Sequence, residues 1–274
     1  MRRKAPRAVN ERGGERAEPE TAADRSPLTG GHPAILATRE RRRGAWVGAL
    51  AAAGLCIVAS DAGAQPRFFL RVAPEAGRAA VEHTKTVTIR GGSSSSTSPS
   101  SGPALAGSLS AGFLLPLPGD WLVGAEIEGV ASGRRTLEGT IPPTPDGNPH
   151  DVWPGRWELR DLYGAGGQIL LGRGLGDGRP ELYFLGGVRG MRTEFASGWT
   201  NPATGTPGED RRHLDRWPWT IGVGTTLPLR WPVDLRIRYA RSVTNWIIVQ
   251  EGARLDYRYM ASALSLSAGI RVLD

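Results

Sequence analysis

The chain has 274 residues, 34 Lys and Arg against 27 Asp and Glu, a formal charge of +7 and one cysteine, which excludes an internal disulfide. The basic excess sits mostly at the front: residues 1–64 hold 11 basic and 7 acidic residues, so the remainder carries only +3. Nucleic-acid binding, which a strongly basic chain would otherwise prompt, therefore loses its electrostatic basis.

Residues 1–40 are rich in Arg and Glu and lack apolar periodicity, the composition of a disordered extension. A start assigned too early explains them, and a functional basic tail is the alternative. Residues 41–64 read as a signal peptide. A basic cluster, Arg39 to Arg43, precedes the apolar run Ala45 to Ser60, and Ala62-Gly63-Ala64 offers small residues for cleavage between Ala64 and Gln65. The run is shorter than the roughly 20 apolar residues that a membrane-anchoring helix needs. Cys56 follows Leu55, where a lipoprotein signal would carry a small residue, so lipidation is not expected.

Residues 65–274 read as one all-β domain. Val233, Leu235, Ile237 and Tyr239 alternate with Asp234, Arg236 and Arg238, and Leu264 to Val272 alternate in the same way, which is the period of a strand with unlike faces. Eight strands are expected. The first includes Phe68, Leu70 and Val72, with an extension through Val87 and Ile89, and leads into a low-complexity loop, Gly91 to Gly102. The second runs from Leu105 to Leu115 and closes at Pro118-Gly119-Asp120. The third runs from Trp121 to Leu137, before a loop from Thr140 to Pro154. The fourth spans Trp157 to Leu171, and the fifth Leu182 to Phe195, before a loop from Ser197 to Arg212. The sixth spans Trp217 to Leu229, the seventh Val233 to Val249, and the eighth runs to the C-terminus.

The apolar rows are long, and the opposite rows are Gly, Ser, Thr and Ala with scattered charges. In lipid every backbone polar group must be satisfied internally, and no segment after the leader offers a spanning helix, so an antiparallel transmembrane β-barrel of eight strands follows. Trp121 and Trp231 fall beside the short turns. Trp157, Trp217, Trp219, Trp246, Tyr257 and Tyr259 fall toward the opposite rim, so these eight are expected to form two interfacial aromatic girdles.

The Gly-rich fourth strand LYGAGGQILLG, the fifth strand ELYFLGGVRG, the sixth strand TIGVGTTLPL and the basic seventh strand VDLRIRYARS resemble the small outer-membrane β-barrel family, the OmpA-like and OmpX-like barrels. The resemblance covers about residues 65–274. It implies residence in the outer membrane, insertion by the barrel-assembly machinery, and contact with outer-membrane lipid and lipopolysaccharide.

By the same parity Glu126, Glu128, Glu158, Arg160, Arg189, Asp234, Arg236, Arg238 and Arg271 are expected to face the barrel interior. Buried charges must be paired, and a barrel of eight strands is just wide enough to be filled by side chains. A structural salt-bridge network filling the lumen is therefore expected. The competing reading is a narrow path for very small solutes.

No catalytic or metal site is expected. His32, His83, His150 and His213 fall in the leader or in and near loops, without metal-ligand spacing. Arg241, Ser242, Asn245 and Glu251 lie where lipid A deacylase barrels keep their catalytic set, but Arg241 stands in the place of the general base, leaving no activated nucleophile. Gly164 to Gly167 lack the Lys and helix of a phosphate loop. The sequence thus predicts a cofactor-free outer-membrane barrel with a structural or interaction role. A lipid A-modifying enzyme and a soluble periplasmic ligand-binding barrel are the alternatives.

Overall fold

Among the described residues ten strands run antiparallel: β1 (Arg67–Ile89), β2 (Gly92–Leu117), β3 (Trp121–Ser132), β4 (Leu137–Ile141), β5 (Gly155–Gly174), β6 (Glu181–Thr200), β7 (Pro207–Arg216), β8 (Trp219–Leu227), β9 (Val233–Gln250) and β10 (Ala253–Leu273). The computed structural model describes residues 65–89, 92–133, 136–141, 155–176, 179–200, 205–250 and 253–273. The N-terminal extension, the signal segment through Ala64, the loop beyond Ile141 and Glu251 lie outside the described residues.

The ladder closes on itself. Going round, β1 pairs β2, β2 pairs β3, β3 pairs β5, β5 pairs β6, β6 pairs β8, β8 pairs β9, β9 pairs β10, and β10 returns to β1. This is a ring of eight. The two further strands are broken continuations of ring members. β4 resumes the line of β3 along β5, and β7 and β8 keep one register along β6 on either side of Trp217 and Pro218. Pro218 has no N–H to give the ladder, so the strand breaks there.

At one end the connections are tight. Gly119 (φ 77°) and Asp120 (φ 64°) take the left-handed conformation between β2 and β3, which Gly adopts freely and Asp tolerates. The expected loop from Gly91 to Gly102 is corrected: Gly92 to Gly102 is strand, paired with β1 from Ala79 to Ile89. Polar composition suggested a loop there, but the tall partner β1 supplies a complete backbone ladder. The expected loop from Ser197 to Arg212 likewise contains the end of β6 and most of β7. Strands of 20 to 26 residues result, about twice the roughly 9 to 11 needed to cross a bilayer.

The side-chain pattern divides the strands into two halves. Near the turn end the outer face is apolar: Phe68, Leu109, Ile127, Phe184, Ile221 and Ile270 are exposed, and the buried inner face combines the polar and charged rows with an apolar cluster of Phe69, Leu114, Leu170, Tyr183 and Leu185. Near the loop end the pattern inverts. The outer face carries Arg78, Glu82, Glu138, Arg156, Arg211 and Arg254, while the inner face buries Val81, Ile141, Trp157, Leu159, Phe195 and Tyr259.

The loop-end half is no longer a simple barrel. There β9, β10, β1 and β2 form one four-stranded sheet, and β4, β5, β6 and β7 form another. Among the described residues no backbone ladder joins β7 to the upper part of β9, or β4 to β2. Side chains bridge these seams instead, with the Ser100 hydroxyl donating to the Glu138 carbonyl at 2.5 Å. The aromatic core is the filling between two facing sheets.

Candidate functional site: an ionic lumen beneath an aromatic cap

Asp234 is the centre of the turn-end interior. Fully buried on β9, its carboxylate accepts from Arg71 Nε at 2.7 Å, Arg236 Nε at 2.7 Å, Arg271 Nη2 at 2.6 Å, the Tyr183 hydroxyl at 2.5 Å and the Thr226 hydroxyl at 3.2 Å. One level on, Arg236 holds Glu126 through two nitrogens at 2.6 and 2.8 Å. Gln168 donates to the same Glu126 at 2.7 Å. Further toward the loop end, Arg238 bonds Glu128 at 2.7 Å and Glu75 at 2.6 Å, and Arg189 joins Glu128 at 2.7 Å. Arg271 also lies 4.5 Å from the Phe69 ring centre. Charges in a low-dielectric interior persist only when paired and hydrogen-bonded on every side, and alternating Arg and acid rows meet that condition.

Glycines on the inner face make room for this network. A Cβ on Gly224 would lie 2.4 Å from the Tyr183 ring, the ring that holds Asp234 and Arg236 in place.

Of the residues expected inside, Glu126, Glu128, Arg189, Asp234, Arg236, Arg238 and Arg271 lie together in this network. Glu158 and Arg160 do not. Trp157 and Leu159 take the inward positions, and Glu158 is exposed outside. The cause is a bulge: Asp161 pairs Thr193 while Tyr163 pairs Arg192, leaving Leu162 as an extra residue. One extra residue moves every side chain before it to the other face. Parity carried back from Gly164, Gly166 and Gln168 therefore fails at Glu158 and Arg160.

Arg67, Arg71, Glu75, Glu181 and Tyr183 complete the interior, and sequence reading did not single them out. Arg71 and Glu75 occupy the row opposite Phe68, Leu70 and Val72, so parity alone could have found them. Arg216, which pairs Asp161 and donates to Ser242 at 3.1 Å, was hidden because most of β7 reads as loop.

The aromatics divide in the same way. Trp121, Trp217, Trp219 and Trp231 are exposed on the outside, where interfacial girdles were expected. Trp157, Tyr257 and Tyr259 are instead buried inside the loop-end half, and Trp246 packs against the same core. These four are corrected from girdle to cap core, because the strands run past the apolar belt and their apolar face turns inward there. Trp246 stacks on Tyr257 at 5.0 Å, Trp157 meets Tyr259 edge-on at 6.5 Å, and the Trp157 Nε1 donates to Ser98 at 3.1 Å.

His83 sits fully buried in this core, on β1 and not in or near a loop, with Trp157 at 5.5 Å, Phe195 at 5.4 Å and Tyr257 at 5.9 Å. Burial and then the neighbouring Lys85 lower its pKa to about 4. The imidazole is thus neutral in the folded cap, while an unfolded chain takes up a proton near pH 6.5. The folded pKa lies below the unfolded one, so this stability is present above pH 6.5 and is lost as pH falls toward 4. Protection factors of β1 and β10 amides around His83 and Tyr259, taken relative to the intrinsic exchange rate at each pH, are expected to fall across that window. His83→Phe should flatten the response; an unchanged pH profile in that variant would assign the effect elsewhere.

Ser242 is buried and points inward to Arg216, while Arg241 and Asn245 lie exposed on the opposite face of β9. The described members of that set do not converge. His213 lies exposed on β7. Among the described residues no group of three or more His, Cys, Asp or Glu could hold a metal ion.

A closed antiparallel barrel of eight strands, apolar outside and ionic inside over its turn-end half, is the class of molecule this arrangement defines. No protein-family model and no curated protein matches the sequence. Among solved structures the chain is similar to the attachment invasion locus protein Ail of Yersinia pestis, at 12% identity over 72% of this chain and 98% of that one, with a TM-score of 0.26. Neisserial surface protein A matches at 15% identity over 74% and 96%, TM-score 0.29. The outer membrane protease OmpT from Escherichia coli matches at 8% over 73% and 96%, TM-score 0.37.

Proposed function

We propose that the chain is an exported outer-membrane β-barrel with a structural or interaction role, its lumen plugged by the Asp234, Glu126 and Glu128 networks and its loop-end half standing clear of the bilayer. The observation that carries this reading is the inverted pattern of the turn-end half: Leu109, Ile127, Phe184 and Ile270 outside, Arg71, Arg236 and Arg271 inside. A soluble barrel would put those apolar rows inward. Lipid is the surroundings in which an apolar exterior costs nothing and a closed ladder is required. Outer-membrane lipid and lipopolysaccharide would be its immediate partners, and the barrel-assembly machinery would insert it.

The test is gel mobility of the outer-membrane fraction with and without boiling. A faster unboiled band is the expected result; protein in the soluble periplasm, with no shift, overturns the reading. In planar bilayers the folded protein is expected to show no steady open level, because each lumen level is closed by paired side chains. A sustained conductance of porin size would replace the plug with a solute path.

A further inference from the structure

The apolar belt is not smooth. On its outer face, where β1, β2, β3 and β5 run side by side, lies an open depression of about 680 Å³ lined by Val72, Pro74, Gly107, Leu109, Gly129 and Ala131. Its floor is made by small residues that the ladder sets beside one another. Pro74 pairs Gly107, Gly107 pairs Ala131, and Gly129 pairs Ala165. Val72, Leu105 and Leu109 stand exposed around it.

The rest of the barrel gives no reason for glycine at these positions. A Cβ on Gly107 would meet no described atom within 4 Å, and one on Gly129 only the Leu109 carbonyl oxygen at 3.9 Å. Neither is among the described glycines of positive φ, which are Gly119, Gly176 and Gly205. The ladder runs through both in unbroken register, so neither marks a bulge. Glycine within a strand costs entropy and packs nothing. The role left to it here is to admit an outside body close to the backbone.

Charge and depth say what that body is. The outer row of β1 continues from Val72 and Pro74 through Ala76 to Arg78. Arg78 is exposed, donates to the Ser101 hydroxyl at 2.9 Å, and among the described residues forms no ion pair with a carboxylate. It pairs Leu264, which pairs Tyr239, and Tyr239 packs on the exposed Trp219 with ring centres 5.6 Å apart. Rings of this kind sit at the headgroup level of a bilayer. Arg241, exposed and in register with Trp219, places a second guanidinium at that level. From Pro74 to Arg78 the strand rises roughly 13 Å, less than half of the roughly 30 Å hydrocarbon core. An acyl chain lying in the depression therefore reaches an anionic head at Arg78 within one leaflet. A second copy meeting this face about a two-fold axis would set hollow against hollow.

We propose that the depression seats an acyl chain of a lipid whose anionic phosphate head is held at Arg78, in the leaflet on the loop side. The proposal rests on the membrane reading above and names one lipid position within it.

The experiment is native mass spectrometry of the refolded full chain released from detergent, with phosphatidylglycerol as probe and phosphatidylcholine of the same chains as control. One phosphatidylglycerol is expected to stay bound per chain, at about fivefold lower lipid concentration than phosphatidylcholine, the worth of one Arg beside an anionic head. Arg78→Gln should erase that preference and Arg78→Lys should keep most of it. Gly107→Leu, whose side chain enters the depression without displacing a described atom, should weaken retention of both lipids by about fivefold or more. Val223→Leu, exposed on β8 away from the depression, should not. Equal retention of the two lipids by the wild type, a preference kept by Arg78→Gln, retention untouched in Gly107→Leu, or a two-chain mass that Gly107→Leu abolishes overturns the proposal. Boiled and unboiled gel mobility, read in parallel, separates the failures: a shifted band without lipid preference sinks the lipid site alone, and no shift sinks the membrane reading and the site with it.

Discussion

Asp234→Ala is expected to destabilise the barrel by about 3–5 kcal/mol, the cost of breaking a buried ion pair from one side. Three guanidiniums converge on this carboxylate. Without it Arg236 keeps Glu126, and Arg271 keeps only Glu181 at 3.4 Å. Arg71 is left with the hydroxyls of Ser108 and Ser267 at 3.5 and 2.7 Å, so one fully buried cation has no carboxylate at all. Asp234→Asn should recover little, because it restores shape and one acceptor but no charge. Adding Arg71→Met to Asp234→Ala should recover a substantial part, since the coupling of contacting residues shows in the double variant. The urea midpoint of the folded protein in lipid vesicles, followed by tryptophan fluorescence, measures all three. An unfolding free energy for Asp234→Ala, from midpoint and slope, within about 0.5 kcal/mol of wild type would show that the lumen charges do not hold the barrel.

Trp157→Ala is expected to cost about 3–5 kcal/mol by the cavity it leaves, and to do so in one half of the molecule only. Trp157 is fully buried, bonded to Ser98 on the opposite sheet and packed on His83 and Tyr259. It is seated on Gly139, where a Cβ would lie 2.4 Å from its ring. Because the two cap sheets share no backbone ladder across their seams among the described residues, side chains such as this hold them together. Hydrogen exchange should therefore rise in β1 from Ala79 to Ile89 and in the paired part of β10, while Phe69 to Val72 stay protected. Glu158→Ala, one residue along but on the outer face, should change stability by no more than about 0.5 kcal/mol. Uniform loss of protection in Trp157→Ala would mean that cap and barrel unfold as one unit.

The period of two in β9 and β10, the tight turn at Pro118 to Asp120 and the count of eight ring strands were legible in the sequence, because alternation and turn chemistry are local. So were Asp234, Arg236 and Arg238, which a single uninterrupted strand places on one face. Glu158 and Arg160 were not legible, since the bulge at Leu162 that reverses their face is a matter of how β5 meets β6. Nor was the serine-rich stretch Gly92 to Gly102, which has no apolar pattern of its own and becomes strand because β1 runs beside it.

The sequence by itself determined a closed antiparallel barrel with one apolar and one charged face, because side-chain alternation and the need to pair every backbone group leave few other solutions. Only the tertiary structure decided where that barrel stops being one. Past the apolar belt Trp157, Phe195, Trp246 and Tyr259 come together from four strands, and the sheet divides in two around them. That boundary depends on which residues meet across the lumen, a distance in space that no spacing along the chain records.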